Sequence, residues 1–570
     1  MRGNKSSKSS SLALVLVAVA EAATPNKTSP ENIIWGLVFL VLFVGGSSTF
    51  GTTSFGQVQA FHEKNSFVGN TRNHRHHHRI GTRSSPLIVV PSVTEQTSII
   101  MSSSLPSSTV DDDAPVILLI GSCGLDRLLT VSKYPAADAK IRTTSYNERG
   151  GGNSANTASA IGKIVEAKLF CPRSLSQQKQ KGIIRVKFLS KVGGDTVGQQ
   201  LIDELDSANV ETTSDLFCRG EPSSTTSFTT IIVSEKEQTR TCIHTPGTCG
   251  ELSLDDVKSL SIDDIDRIFR HAVHLHSDSR HTDVSLWMAK EAKKRGITVS
   301  CDCEKDRRTK ALDELIDVCD ILFTNSNHLG GYLERLTYEK EVATGRQPLP
   351  KPTVIIDGKK TTTTRSFPDQ SIIDIYVKSL TPSAYFARWQ PDRLGKEVIV
   401  THGSMGSLHY KVVEASSTRK SLSSSSSSSI DLSPQNIIKI ELDDDRDNNR
   451  ASVIRLRHSF NDNKEGFDVL YEIRQAGVLK DAKIVDTTGA GDAFIGGYLI
   501  SSIALEENKD EGNENIIQFA LEMGSFVGGK KLAGPGARTA LPTSKDIDLL
   551  GSDVDTVKQS LGESLGPFAG

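Results

Sequence analysis

Short apolar strands alternating with amphipathic helices predict an α/β fold with a mostly parallel sheet covered on both faces. Pro115–Gly121 (PVILLIG) is a continuous apolar run ending in Gly, the pattern of a strand buried on both sides. Asn153–Val165 is Ala-rich and helix-compatible, and Ile184–Leu189 and Gly198–Leu205 repeat the strand-then-helix order. Ala272–His276, Thr298–Cys303, Ile321–Thr324, Thr353–Ile356 and Val398–Thr401 read as further short strands, with helical stretches at Thr282–Arg295 and Thr309–Cys319. Thr226–Val233 and Thr239–His244 flank a polar turn at Glu235–Gln238 and predict a hairpin, a small β element apart from the parallel sheet. Cys171–Lys181 is polar, Lys359–Lys396 is Thr-rich and then irregular, and Ser421–Ser429 is a serine run before an acidic patch at Asp443–Asp447. These three read as surface insertions.

A chain of 570 residues allows about three to five ordinary domains, or one large domain plus unstructured segments. At 37% hydrophobic and 24% charged residues it holds enough apolar material for a core, which excludes wholesale disorder. The net charge of −3 divides into +5 over residues 1–110 and −8 over the remainder, and an acidic body argues against nucleic acid as the main partner. Eight cysteines, with only Cys301 and Cys303 close together, make neither a disulfide scaffold nor a zinc site and read as reduced core thiols.

Residues 1–113 read as a targeting leader and disordered segment. Ile33–Val44 is apolar for twelve residues, the length of a signal h-region and short of a membrane span. Small residues follow, then Ala60-Phe61, then a stretch to Val110 rich in Ser, Thr, Asn, Arg and His. This order resembles a bipartite plastid presequence. A signal anchor, or a cytoplasmic protein starting at Met101, are the alternatives. Membrane contact is expected only through this leader. The histidines at His74 and His76–His78 sit in it and read as incidental.

Four motifs carry chemistry. Asp486-Thr487-Thr488-Gly489-Ala490-Gly491-Asp492-Ala493-Phe494 follows a strand-like Lys483–Val485 and precedes an apolar helical run, Ala493–Leu505. Gly489, Ala490 and Gly491 let the backbone approach an anion, and the following helix dipole favours phosphate oxygens there. A carboxylate beside such a site has a reason to exist if it takes a proton from an attacking hydroxyl, which points to Asp492 as a base; a helix cap is the plain alternative. In Gly150-Gly151-Gly152-Asn153-Ser154-Ala155-Asn156, two carboxamides three residues apart suit a polyol or, equally, cap a helix. Asp126, in Gly121-Ser122-Cys123-Gly124-Leu125-Asp126, is placed by the sequence just past a strand's carboxyl end, either in a ligand crevice or in an ordinary turn. Thr401-His402-Gly403-Ser404-Met405-Gly406 follows a strand and reads as a nucleotide-lining turn or a plain one.

Together these motifs resemble the ribokinase-like (PfkB) carbohydrate kinases, most closely ketohexokinases and plant sugar kinases. The resemblance runs over Pro115–Pro542 and includes Lys191–Gly198 (KVGGDTVG) and Gly529–Pro542 (GKKLAGPGARTALP). It implies a three-layer α/β sandwich with a small β lid, a kinase domain over 114–545 with insertions near 171–181, 359–396 and 415–450, and a tail at 546–570. It also implies transfer of the γ-phosphate of ATP to a sugar hydroxyl, with Mg2+ and, as in some members, K+. Asp126, Gly152, Asn153 and Asn156 correspond to sugar-binding positions, Thr401, Gly403 and Ser404 to nucleotide-binding positions, and Gly489, Ala490 and Gly491 to the anion hole. Asp492 corresponds to the base, Asp486 and Thr488 to monovalent-cation ligands, and the lid to a homodimer contact. The family's Asn-x-x-Glu near magnesium is here Asn325-Ser326-Asn327-His328, a departure. A nucleoside kinase and a non-catalytic structural subunit are the rival readings. His274, His276 and His281 read as packing residues, and Arg280 as a residue at a strand end within reach of substrate.

Overall fold

The computed structural model describes residues 113–170, 184–212, 217–237, 239–305, 307–326, 329–356, 370–389, 394–417, 435–442, 453–461, 466–506 and 513–568. The leader expectations, the histidine run, the polar segment 171–181 and the serine run Ser421–Ser429 lie outside the described residues.

The strands are β1 (Val116–Ile120), β2 (Gly124–Val131), β3 (Ser145–Gly151), β4 (Arg185–Val192), β5 (Phe217–Arg219), β6 (Phe228–Ser234), β7 (Thr239–Thr245), β8 (Ala272–Ser277), β9 (Thr298–Cys303), β10 (Ile321–Asn325), β11 (Thr353–Ile356), β12 (Glu397–Thr401), β13 (Ser407–Ser417), β14 (Gln435–Leu442), β15 (Ile454–Asn461) and β16 (Gly466–Ala476). Twelve of them form one sheet in the order β11-β14-β15-β16-β13-β12-β10-β9-β8-β1-β4-β5. The run from β12 through β5 is parallel throughout, while β13 to β16 add an antiparallel extension.

The three layers follow from β1. Its five residues are all buried, and they alternate: Ile117 and Leu119 pack with the helices Asn153–Ile164, Ala490–Glu506 and Asn513–Lys531, while Leu118 and Ile120 pack with Thr282–Lys294 and Lys310–Val318. A strand buried on both faces has no room for polar residues, which is why the run PVILLIG is legible. Each fully buried Ile or Leu contributes about 1.5–3 kcal/mol by leaving water. The lid is a separate four-stranded sheet, β3-β2-β6-β7, in which β6 and β7 form the expected hairpin.

The structure corrects several expectations. Lys359–Lys396 is not irregular where it is described: it contains the helices Gln370–Ser379 and Thr381–Trp389, whose Ile373, Tyr376, Tyr385 and Phe386 are buried in the core. The 415–450 insertion contains β14, paired parallel to β11. Residues 546–568 of the expected tail pack on the kinase domain: the helix Val554–Ser564 buries Val557 and Leu561, and Phe568 lies against Tyr376 and His402. Lys483–Val485 is not a strand; Ile484 and Val485 are exposed, and the N–H groups of Val485 and Asp486 both donate to Leu532 O. Asp126, beyond β1, lies inside lid strand β2 and lines the pocket, so the plain-turn alternative does not hold. Among the described residues, no helix is long and apolar enough to cross a membrane.

Candidate active site

The carboxyl ends of β1, β9, β10 and β12, the lid and the start of two helices surround a pocket of about 430 Å³. Crevices at this end of a parallel sheet are where the connections diverge and leave space. The sheet side brings Ser122, Asp302, Glu304, Asn325 and Thr401, and the lid brings Asp126, Thr229 and Arg240. Gly152, Asn153 and Asn156 enter from the helix Asn153–Ile164, and Gly489, Gly491 and Asp492 from the other helix start.

The helix that carries Asp492 begins at Ala490, so Asp492 is not the residue before the helix but stands in its first turn, two residues after the first helical residue. Gly489 has φ 75°, and a Cβ there would lie 2.6 Å from the Ala537 Cβ, so the turn requires glycine on both counts. Gly491 and Asp492, whose N–H groups lie in the helix's first turn, line the pocket, whereas Ala490 does not line it and its N–H donates to Thr487 O at 3.3 Å. Asp492 is only 8% exposed. Burial raises its pKa to about 7, the Asn156 hydrogen bond opposes that, and the nearby carboxylates of Glu304, Asp278 and Asp126 add to it.

Asn156 is not a free polyol contact. Its Nδ2 donates to Asp492 Oδ2 at 2.8 Å, and its Oδ1 accepts from Arg538 Nε at 3.1 Å. Arg538 also donates to Gly151 O at 2.7 Å. Because a guanidinium only donates, it fixes which way the carboxamide points and so aims its N–H at the carboxylate. Asn156 and Arg538 thus hold Asp492 in place, while Asn153 faces the pocket from the open side of the same helix start.

Asp126 reaches the pocket because β3 ends in glycine. A Cβ on Gly151 would fall 2.3–2.6 Å from the Asp126 carboxyl group, and one on Gly152 (φ 96°) would fall 2.2 Å from Ser122 O. Burial raises Asp126 to about 6 against the pull of Arg538 and Arg240. Beneath it, Asp278 is the buried pin of the loop after β1. It accepts from Ser122 N, Ser122 Oγ, Ser154 N and Arg280 N at 2.6–3.2 Å. Burial pushes Asp278 up, but His281 and these hydrogen bonds hold it below its ordinary value.

Asp486 and Thr488 bond to each other: Thr488 N and Oγ1 both donate to Asp486 Oδ1, at 2.9 and 2.7 Å. Arg240 reaches from the lid and donates to Thr487 Oγ1 and Thr488 Oγ1 at 3.0 and 3.1 Å. Lys531 Nζ donates to Asp486 O at 2.9 Å; burial lowers its pKa to about 8, with Asp486 opposing, so it is charged at neutral pH. Thr401 lines the pocket, whereas Gly403 and Ser404 are exposed in the turn beyond it. His274 and His276 both bond to Ser300 Oγ and are spent on packing. Arg280 lines the pocket, as its strand-end position implies.

The structure therefore gathers Asp126, Gly152, Asn153, Asn156, Thr401, Thr488, Gly489, Gly491 and Asp492 at one pocket. Sequence reasoning missed Arg538, Arg240, Asp278, Asp302 and Glu304. Asp302 is half-buried against the pocket, and its partial loss of water, with Glu304 and Asp492 nearby, raises its carboxyl well above its ordinary value. The only signal for Arg538 was its place in the glycine-rich stretch GPGAR; its partner Asn156 is 382 residues away.

The description of the pfkB family carbohydrate kinases matches residues 115–360 and 471–540. That is more than half of the chain, and the chain belongs to this family. It is similar to an ATP-dependent ribose-1-phosphate kinase of Halopiger xanaduensis, 27% identical over 221 residues, 38% of this chain and 64% of the relative. A fructokinase of Vibrio alginolyticus is 38% identical over 63 residues, 11% of this chain and 20% of the relative. The chain thus spans less than two thirds of the length of these curated relatives. The ribokinase of Arabidopsis thaliana complexed with ribose and ATP superposes with a TM-score of 0.45 at 18% identity, covering 79% of this chain and 99% of that one. The ribokinase of Giardia lamblia gives 0.47 at 17% identity, over 78% and 99%.

Proposed function

We propose that the protein transfers the γ-phosphoryl group of ATP to a hydroxyl of a neutral sugar. The observation that carries this reading is Asp492, a nearly buried carboxylate with a pKa raised to about 7, in the first turn of a glycine-led helix and aimed by Asn156. A base poised near the working pH takes a proton well and is half available to do so. As the sugar oxygen bonds to the γ-phosphorus, its proton passes to Asp492 and the bond to the β,γ-bridging oxygen breaks, releasing ADP. The helix N–H groups at Gly489–Gly491 stabilise charge on the transferring group.

A neutral acceptor is favoured because the three cations around the pocket, Lys191, Arg240 and Arg280, are met by Asp126, Glu251 and Glu304, which leaves no surplus of positive charge for an anionic acceptor. Lys191 is moreover paired with Asp256. Asp126 and Asn153 would accept and donate to the sugar hydroxyls, and the Thr401–Ser404 turn would flank the nucleotide. Glu304 and Asn325 offer oxygen donors suited to Mg2+, and among the described residues no group of three His, Cys, Asp or Glu is arranged to hold a metal alone. That donor set matches an ion bound largely through nucleotide phosphates and water, and when bound Mg2+ supplies charge neutralisation to those phosphates.

The test is an ADP-release screen of the full chain with ATP against neutral sugars, sugar phosphates and nucleosides. The proposal expects turnover with one or more neutral sugars. Turnover with nucleosides alone would replace the sugar with a nucleoside, and folded protein inactive towards every acceptor would favour a structural role.

A further inference from the structure

Lys531 is the last residue of the helix Asn513–Lys531 and is fully buried. Its ammonium donates to Asp486 O at 2.9 Å and approaches Gly534 O at 3.4 Å. It therefore lies between two loops. One leads from Asp486 into the glycine turn Gly489–Gly491. The other runs from Gly534 to Gly536, where Gly536 N donates to Asp486 Oδ2 at 2.7 Å. Gly489 packs directly on Ala537, so the position of the second loop sets that of the glycine turn.

The surroundings of this ammonium are mostly negative, the guanidinium of Arg240, 3.8 Å from the Asp486 carboxylate, being the positive group near it. Two carbonyl oxygens point at it, the Asp486 carboxylate stands on one of its two loops, and a helix of nineteen residues ends on it with the negative end of its dipole. Buried carbonyl oxygens turned towards one point without a donor between them would be costly. An ammonium with three donors can engage the same kind of oxygen cage as a monovalent metal ion, and here it is tethered to the chain.

We propose that Lys531 is a built-in monovalent cation, filling the position between Asp486 and the Gly534 loop that K+ would otherwise take and holding the glycine turn in shape without added salt. This departs from the expectation of a K+ site at Asp486 and Thr488. The Thr488 hydroxyl is committed to Asp486 and to Arg240, and the Asp486 carbonyl to Lys531. The structural claim rests on these contacts alone; only its consequence for turnover rests on the kinase reading.

The experiment compares the full chain in KCl, NH4Cl and choline chloride at equal ionic strength. For the wild type, the melting temperature should change by less than about 1 °C and turnover by less than about twofold. Lys531→Ala should melt lower in choline chloride and regain about 2–4 °C in 100 mM KCl or NH4Cl, as a small cation enters the vacated site. A wild type that K+ stabilises by several degrees, or activates many-fold, has a separate cation site and overturns the proposal. So does a folded Lys531→Ala protein that responds equally to all three salts. Should the alanine protein not fold, the wild-type arm decides alone. The melting arm needs no kinase activity, so failure of the kinase reading would show as inactivity in every salt while the melting result stood.

Discussion

Replacing Asp492 with Asn separates catalysis from capping and sets the two in opposition to stability. The side chain keeps its shape, and Asn156 Nδ2 can still donate to an oxygen at that position. What is lost is the ability to take a proton, so kcat should fall by about 10²–10⁴ with ATP binding intact. The stability effect has the opposite sign. Asp492 has a pKa near 3.8 in an unfolded chain and about 7 in the fold, chiefly through burial. The folded state therefore binds this proton more tightly than the unfolded one. Its favourable contribution is complete below about pH 4 and is lost as pH rises through 7. Three pH units correspond to about 4 kcal/mol as an upper bound on the cost of holding the carboxylate ionised above pH 7. Loss of a negative charge from a helix start takes back about 0.3–1 kcal/mol. Asp492→Asn should therefore be more stable than the wild type at pH 8, by up to about 3 kcal/mol, with the gap narrowing towards pH 5. Urea unfolding at both pH values, beside steady-state kinetics, measures both effects. If Asp492 merely caps the helix, Asn substitutes without loss. Near wild-type kcat together with equal stability at both pH values would refute the reasoning.

Other substitutions test the surrounding structure. Asn156→Ala removes the hydrogen bond that lowers the Asp492 pKa, so the acid limb of the kcat/KM profile should move to higher pH and kcat should drop; an unmoved limb with only a raised sugar KM would return Asn156 to a sugar contact. Gly151→Ala puts a methyl against the Asp126 carboxyl group and should raise the sugar KM at least tenfold while leaving the ATP KM near its normal value, and a normal sugar KM would remove Asp126 from the acceptor site. Asp278→Ala leaves four donors without their acceptor and should cost at least about 3 kcal/mol in urea unfolding; a loss under about 1 kcal/mol would mean that the loop after β1 is held otherwise.

The parallel half of the fold was legible because its strands are buried on both faces and so lack polar residues, as in PVILLIG. The antiparallel half was not, for the converse reason. In β15, Ile454, Leu456, His458 and Phe460 face inward while Arg455 and Arg457 face out, so half the strand is charged or polar and its core side includes a histidine. Tyr376 and Tyr385 anchor helices in a stretch that reads as irregular because Thr and Lys dominate its beginning. Within the site, the residues with a local signature, Gly489 and Gly491 of the glycine turn, Asp492 and the two asparagines, are brought to the pocket. Contacts between distant parts of the chain were not legible. The hydrogen bonds of Asn156 to Asp492 and from Arg538, and that from Lys531 to the Asp486 carbonyl, join positions far apart in the chain, and no local pattern shows them.

The phosphorylated product is the most direct evidence of phosphoryl transfer to a sugar. The full chain, incubated with ATP, Mg2+ and a mixture of neutral sugars, should generate by 31P NMR a sugar phosphomonoester in amounts equal to the ADP formed, and Asp492→Asn should suppress both together. Appearance of inorganic phosphate alone, of a nucleoside monophosphate alone, or of undiminished product from Asp492→Asn would contradict it.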